Sequence, residues 1–199
     1  MKALLLTCGL LLSIFNGWNP FDKSQIKSFA GVPFGKTSKS WDVRHMDGFS
    51  SPKILTTPKT AKAYIIQLDV TEWYGYENEE QKASRIGKLA EKVISLLKEK
   101  YPSSHVAFPN QKLTEDEVVK DKWAVYWAMQ DTQCPSRKIF LYRKPQKEER
   151  YSSWADLGSG RPPIVKDSGK FDALRIIAVD EKLKAEAEME QRELDKKAL

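Results

Sequence analysis

Cysteine and histidine are both scarce in this chain. Two cysteines, Cys8 and Cys134, stand in 199 residues, which excludes a disulfide-stapled scaffold. The two histidines, His45 and His105, lie far apart with no cysteine or paired carboxylates at ligand spacing. Metal centres need more convergent donors than that, so no metal and no cofactor is expected. No serine occupies a nucleophile-elbow sequence. No internal repeat is present, which excludes solenoids and propellers. The longest uncharged apolar run covers residues 3–15, short of a bilayer span, so a polytopic membrane protein is excluded as well.

What is present describes one ordinary domain, or a small domain with appendages. The chain is 41% hydrophobic, 30% charged and 11% aromatic, a balance that rules out a disordered tail or a collagen. Lys and Arg exceed Asp and Glu by 33 to 27, a net charge of +6. That excess admits anionic partners without requiring them. Six tryptophans call for a core that needs large side chains.

Residues 1–17 carry a Leu-rich run behind one basic residue, Lys2. The pattern fits the apolar region of a secretory signal, either cleaved or retained as an anchor. Leucines cover every face, which argues against an amphipathic helix. With the segment removed, Cys134 is the only thiol, and it precedes Pro135 in a turn.

Four parts are expected: the signal or anchor at 1–17, an irregular stretch at 18–62, an α+β domain at 63–179 and a charged helical tail at 180–199. The stretch 18–62 is rich in Pro, Ser, Thr, Lys and Gly, with room for one short hairpin near Phe29 to Phe34. Alternation from Ala63 to Val70 predicts a strand. Asn78 followed by Gln81 supplies a capping box, and Ile86, Leu89, Ala90, Val93, Ile94 and Leu97 mark one face of a helix ending before Pro102.

Further strand signals lie at Trp123–Met129, Ile139–Tyr142 and Leu174–Val179, with a weaker one at His105–Phe108. The fold class expected is α+β: an antiparallel sheet of four to five strands with one helix packed on a face, plus a C-terminal charged helix. The polar stretch from Gln146 to Lys170 reads as a long exposed loop. The tail holds seven acids and five bases with only a thin apolar stripe.

Ala30-Gly31-Val32-Pro33-Phe34-Gly35-Lys36-Thr37 fits a loose phosphate-loop pattern. No apolar strand precedes it and no apolar-faced helix follows, so a tight turn entering the domain explains it better. Asp69 and Glu72 flank the end of a strand, and with His105 they form the sole candidate acid/base set. The densest aromatic runs are Trp73-Tyr74-Gly75-Tyr76 and Trp123 to Trp127. The latter reads as core, with Trp123, Val125 and Trp127 on one face.

The candidate ligand-binding residues are Lys138, Phe140, Tyr142, Arg143, Trp73 and Tyr76. The first four belong to a basic strand with aromatics, a pattern that suits anionic polymers.

The segment Phe29-Ala30-Gly31-Val32-Pro33-Phe34-Gly35 resembles the opening of small exported bacterial proteins of unassigned function, whose mature domains begin with an F-G-x-P-F-G-like phrase. Ala30 interrupts the phrase here. The resemblance implies a sheet-and-helix body and carries over no catalytic residue.

Together these features lead us to expect an exported bacterial protein of the periplasm or cell envelope, acting as a non-enzymatic binding or structural module. One alternative is a hydrolase or transferase of envelope polymers. Another is a binder of anionic polymers through residues 137–150. The partners implied are an envelope protein or an anionic polymer. Export argues against nucleic acid, and membrane contact falls to residues 1–17 if they are retained.

Overall fold

A computed structural model describes residues 25–70, 77–151 and 163–198. Strands β1 (Ser28–Phe29) and β2 (Val32–Pro33) form a small hairpin. Strands β3 (Lys53–Thr56), β4 (Ala63–Asp69), β5 (His105–Ala107), β6 (Ala124–Gln130), β7 (Arg137–Arg150) and β8 (Ile164–Asp180) form one sheet. Its order is β3-β4-β8-β7-β6-β5, antiparallel throughout. Among the described residues the α-helices are α1 (Glu79–Lys100), α2 (Glu115–Val119) and α3 (Glu181–Ala198). The chain is therefore α+β with an antiparallel sheet and a C-terminal helix. The sheet has six strands instead of the four to five expected, because the four-residue Lys53–Thr56 also pairs along one edge.

Helix α1 begins where Asn78 predicts. Asn78 Oδ1 accepts the Gln81 N–H at 2.8 Å, and Gln81 Oε1 accepts the Asn78 N–H at 3.0 Å. Glu79 and Glu80 in the first turn and Lys98 and Lys100 in the last complement the helix dipole. Ala83, Ile86, Ala90, Val93, Ile94 and Leu97 are buried against the sheet residues Ile66, Leu68, Trp127, Met129, Ile139, Leu141, Leu174 and Ile176.

The core also takes Ile26, Phe29, Val32, Phe34 and Phe49, so the stretch before Ala63 is packed into the body. Phe34 N–H donates to the Lys27 carbonyl, and Gly35 N–H to the Ala63 carbonyl, joining the hairpin to β4.

Two sequence expectations fail for identifiable reasons. A bulge between Val125 and Trp127 inserts Tyr126 into β6 and reverses the alternation. Trp127 is fully buried, whereas Trp123 lies under the Arg175 guanidinium at 4.4 Å, opposite the side that α1 covers. Trp123 and Trp127 thus do not share a face.

The second failure is the expected loop from Gln146 to Lys170. β7 runs on to Arg150 and β8 starts at Ile164, paired from Lys147–Asp167 to Arg150–Ile164. This two-stranded ribbon leaves the core, so it lacks the apolar alternation that marks a strand in sequence. Its pairing shifts beside Pro145, where no N–H is available, and across Gly169 at φ +79°.

Helix α3 is anchored on the β3–β4 turn. Glu190 Oε2 accepts the Lys59 N–H at 2.7 Å, the Lys59 ammonium meets Glu193, and Lys62 sits 3.7 Å from Glu186. Ala187 is buried while Met189 and Leu194 stay exposed. Among the described residues no helix is long and apolar enough to cross a membrane.

Candidate functional site

A concavity lies between the β1–β2 hairpin, residues 36–46 and the C-terminal half of α1. Its volume is about 740 Å³, within the span usual for small-ligand clefts.

The hairpin geometry sets one wall. Ala30 (φ 47°) and Gly31 (φ 77°) form its two-residue turn, in the left-handed region that such turns require. A Cβ on Gly31 would fall 1.5 Å from the Asp42 carbonyl oxygen, so only glycine permits this approach. Asp42 N–H donates to the Gly31 carbonyl at 3.0 Å, and Arg44 N–H to the Ala30 carbonyl at 2.9 Å. The phosphate-loop-like string is therefore a hairpin turn, followed by the single 3-10 turn Ser38–Ser40. No phosphate cradle opens onto a helix there.

Leu96 and Met46, above the buried Val93 and Leu97, supply apolar lining; Lys36, Arg44, His45 and Lys100 supply cationic or titratable groups, and Asp42 supplies a carboxylate. Arg44 bonds Asp42 at 3.0 Å, both well exposed. Among the described residues no carboxylate pairs with Lys36 or Lys100. Desolvation, and then the positive charge of Arg44, hold the Lys100 ammonium below its ordinary range. Positive charge thus accumulates without full compensation beside an apolar floor.

The sequence-derived site residues lie elsewhere. Trp73 and Tyr76 fall outside the described residues, as does Glu72. Phe140 and Tyr142 lie on the sheet face away from α1, their ring centroids 5.9 Å apart. Lys138 shares that face and reaches Glu181 at 2.8 Å.

Arg143 departs from the expectation of a surface ligand contact. It points to the core side, 1% exposed, and binds Asp167 through its two terminal guanidinium nitrogens at 2.8 and 2.5 Å. The reason is parity: Arg143 shares the face of Ile139 and Leu141, and the ribbon bends so that Asp167 meets it.

The rest of the basic strand is likewise compensated. Arg137 pairs with Asp180 at 2.9 Å, Lys147 with Asp121 at 3.0 Å, Lys144 with Asp121 at 3.5 Å and Arg150 with Glu148 at 2.9 Å. A strand whose cations are each met by a carboxylate offers an anionic polymer little free charge.

Asp69 and His105 do not converge. They sit on β4 and β5, with β8, β7 and β6 between them, about 19 Å apart at ordinary strand spacing. Burial raises the Asp69 carboxyl, but the bonds from Arg175 (2.6 Å) and Gln67 (2.9 Å) and the charges of Arg175 and Lys53 outweigh it. It is held below the usual range and so stays ionised at neutral pH. Cys134 sits in the β6–β7 turn, its Sγ 3.3 Å from Ser136 Oγ.

Sequence reading missed Arg44, Leu96 and Lys100. They come from separate segments and carry no mutual spacing; the one available signal was the hairpin string itself. Compared with known proteins, the chain matches no protein-family model, no curated sequence and no solved structure.

Proposed function

We propose that this chain is an exported, non-enzymatic binding module of the cell envelope, and that its ligand is anionic and sits in the hairpin–helix cleft. The observation that carries the reading is the pairing of a cleft of about 740 Å³ with cations that lack carboxylate partners among the described residues. Low-dielectric walls beside such charges concentrate an anion more strongly than a flat basic surface does. The basic strand β7, by contrast, is neutralised locally. Support for export comes from the uncharged run at residues 3–15 behind Lys2.

The binding claim is tested by NMR titration with inorganic phosphate and with hexanoate at millimolar concentration. The backbone amides of Gly31, Asp42 and Lys100 are expected to shift, and the shifts to vanish in the Lys36→Ala/Lys100→Ala double variant. Unmoved cleft amides with both anions would overturn it. Intact mass of the protein from its native host tests export, with loss or lipid modification of the N-terminal segment as the expected outcome. A full-length, unmodified Met1 species in the cytosol would refute that part.

A further inference from the structure

Charge in the cleft is segregated from apolar surface along a single helix. Leu96 and Lys100 follow one another at i and i+4 on α1, so they lie on one side of it. Leu96 is 49% exposed although it is a large aliphatic residue, and it lines the cleft together with Val93, Leu97 and Met46. At the C-terminal end of this track stands Lys100, and across the cleft from α1 are Arg44 and Lys36.

The last helical turn adds the negative end of the helix dipole, which Lys98 and Lys100 offset. Lys100 lies close enough to Arg44 to feel its positive charge, and a bound anion would relieve that repulsion. From Leu96 to Lys100 the track spans about 6 Å.

A small hydrophilic anion would satisfy the cations and leave Leu96 in water. A neutral apolar molecule would cover Leu96 and leave Lys36 and Lys100 uncompensated. We infer that the cleft takes a single-chain anionic amphiphile as a monomer, its carboxylate or phosphate head at Lys36 and Lys100 and its acyl chain along Leu96 and Met46. The inference rests on the anion-binding reading above and adds to it a tail subsite.

Calorimetric titration of the full chain with hexanoate, octanoate and decanoate, each below its micelle concentration, separates the two claims. Buried methylenes are worth about fourfold each when fully covered and about twofold in a half-open cleft. Decanoate is therefore expected to bind at least tenfold more tightly than hexanoate, and uncharged decanol at least tenfold more weakly than decanoate.

Lys36→Ala/Lys100→Ala should bring decanoate down to the level of decanol. Leu96→Gln, at an exposed position that does not threaten folding, should halve the gain per methylene between hexanoate and decanoate. Equal affinity for all three carboxylates would overturn the tail subsite and leave the anion reading intact. Failure of every anion, short or long, would remove both. Decanol binding as tightly as decanoate, or binding only to vesicles of anionic phospholipid and never to the monomers, would also overturn the inference.

Discussion

The carboxylate of Asp131 accepts the backbone N–H of Ile26 at 2.6 Å, across 105 residues of sequence. Asp131 is fully buried, and its second oxygen accepts the N–H groups of Gln133 at 2.8 Å and Cys134 at 3.0 Å. One side chain thus closes the β6–β7 turn and fixes the segment that leads into the β1–β2 hairpin. Since that hairpin forms a wall of the cleft, Asp131 positions the candidate site from its far end.

Asp131→Ala strands the buried Ile26 N–H and removes the acceptor of the part-buried Gln133 and Cys134 N–H groups, and with a buried unsatisfied donor worth about 1–3 kcal/mol, a loss of about 2 kcal/mol or more is expected. Asp131→Asn keeps one acceptor oxygen and should lose less. Urea denaturation measures both. Hydrogen exchange should show residues 26–34 losing protection before α1 does. Equal stability of all three proteins would mean that the Ile26 contact contributes nothing to folding.

The local elements were legible in the sequence because local rules govern them. Asn78 and Gln81 announced the start of α1, and the apolar spacing from Ile86 to Leu97 gave its buried face. Alternation located β4, β6, the inner part of β7 and the last part of β8. Elements shaped by distant partners were not legible. The bulge at Tyr126 depends on pairing with Leu141 and Tyr142, and it moves Trp123 to the other face. The outer ribbon is held by strand pairing without a core, so Lys147 to Arg150 show no strand pattern. The cleft was invisible for the same reason: Gly31, Arg44 and Lys100 meet only after the hairpin has docked on α1.

The bidentate pair Arg143–Asp167 ties the bend of the ribbon to the sheet, with the Gly169 N–H also donating to Asp167 at 2.8 Å. Burial raises the Asp167 carboxyl, yet the bond from Arg143, the N–H groups of Gly169 and Leu113 and the Arg143 charge together hold it below its ordinary range. A carboxyl depressed in the folded state adds stability above its unfolded value, about 3.9, and that stability is lost as pH falls through the folded value. Circular dichroism should therefore show acid unfolding setting in below about pH 4. Arg143→Ala, which leaves Asp167 buried and unpaired, should cost about 3–5 kcal/mol at neutral pH. Asp167→Asn should be milder and flatten the acid limb. An acid limb unchanged by Asp167→Asn would assign it to other carboxylates.

Tyr101 gives the opposite pH signature. Its ring closes the C-terminal end of α1, 4% exposed, and its hydroxyl donates to the Ser28 carbonyl at 2.8 Å. Burial first, and then the negative charge of Asp131, push the phenol up to about 12. The folded chain therefore holds this proton where the unfolded chain, with an ordinary value near 10, has released it. Stability is present in full below about pH 10 and declines as pH rises toward 12, by about 3 kcal/mol at the limit. Ultraviolet difference titration should show one tyrosine ionising only with alkaline unfolding. Tyr101→Phe loses the bond to Ser28, worth about 1 kcal/mol, so at neutral pH it should be slightly weaker than the parent. Above pH 11 the order should reverse, because phenylalanine has no proton to lose. A Tyr101→Phe curve parallel to the parent across this range would show that Tyr101 ionises freely and that the hairpin is not held by its hydroxyl.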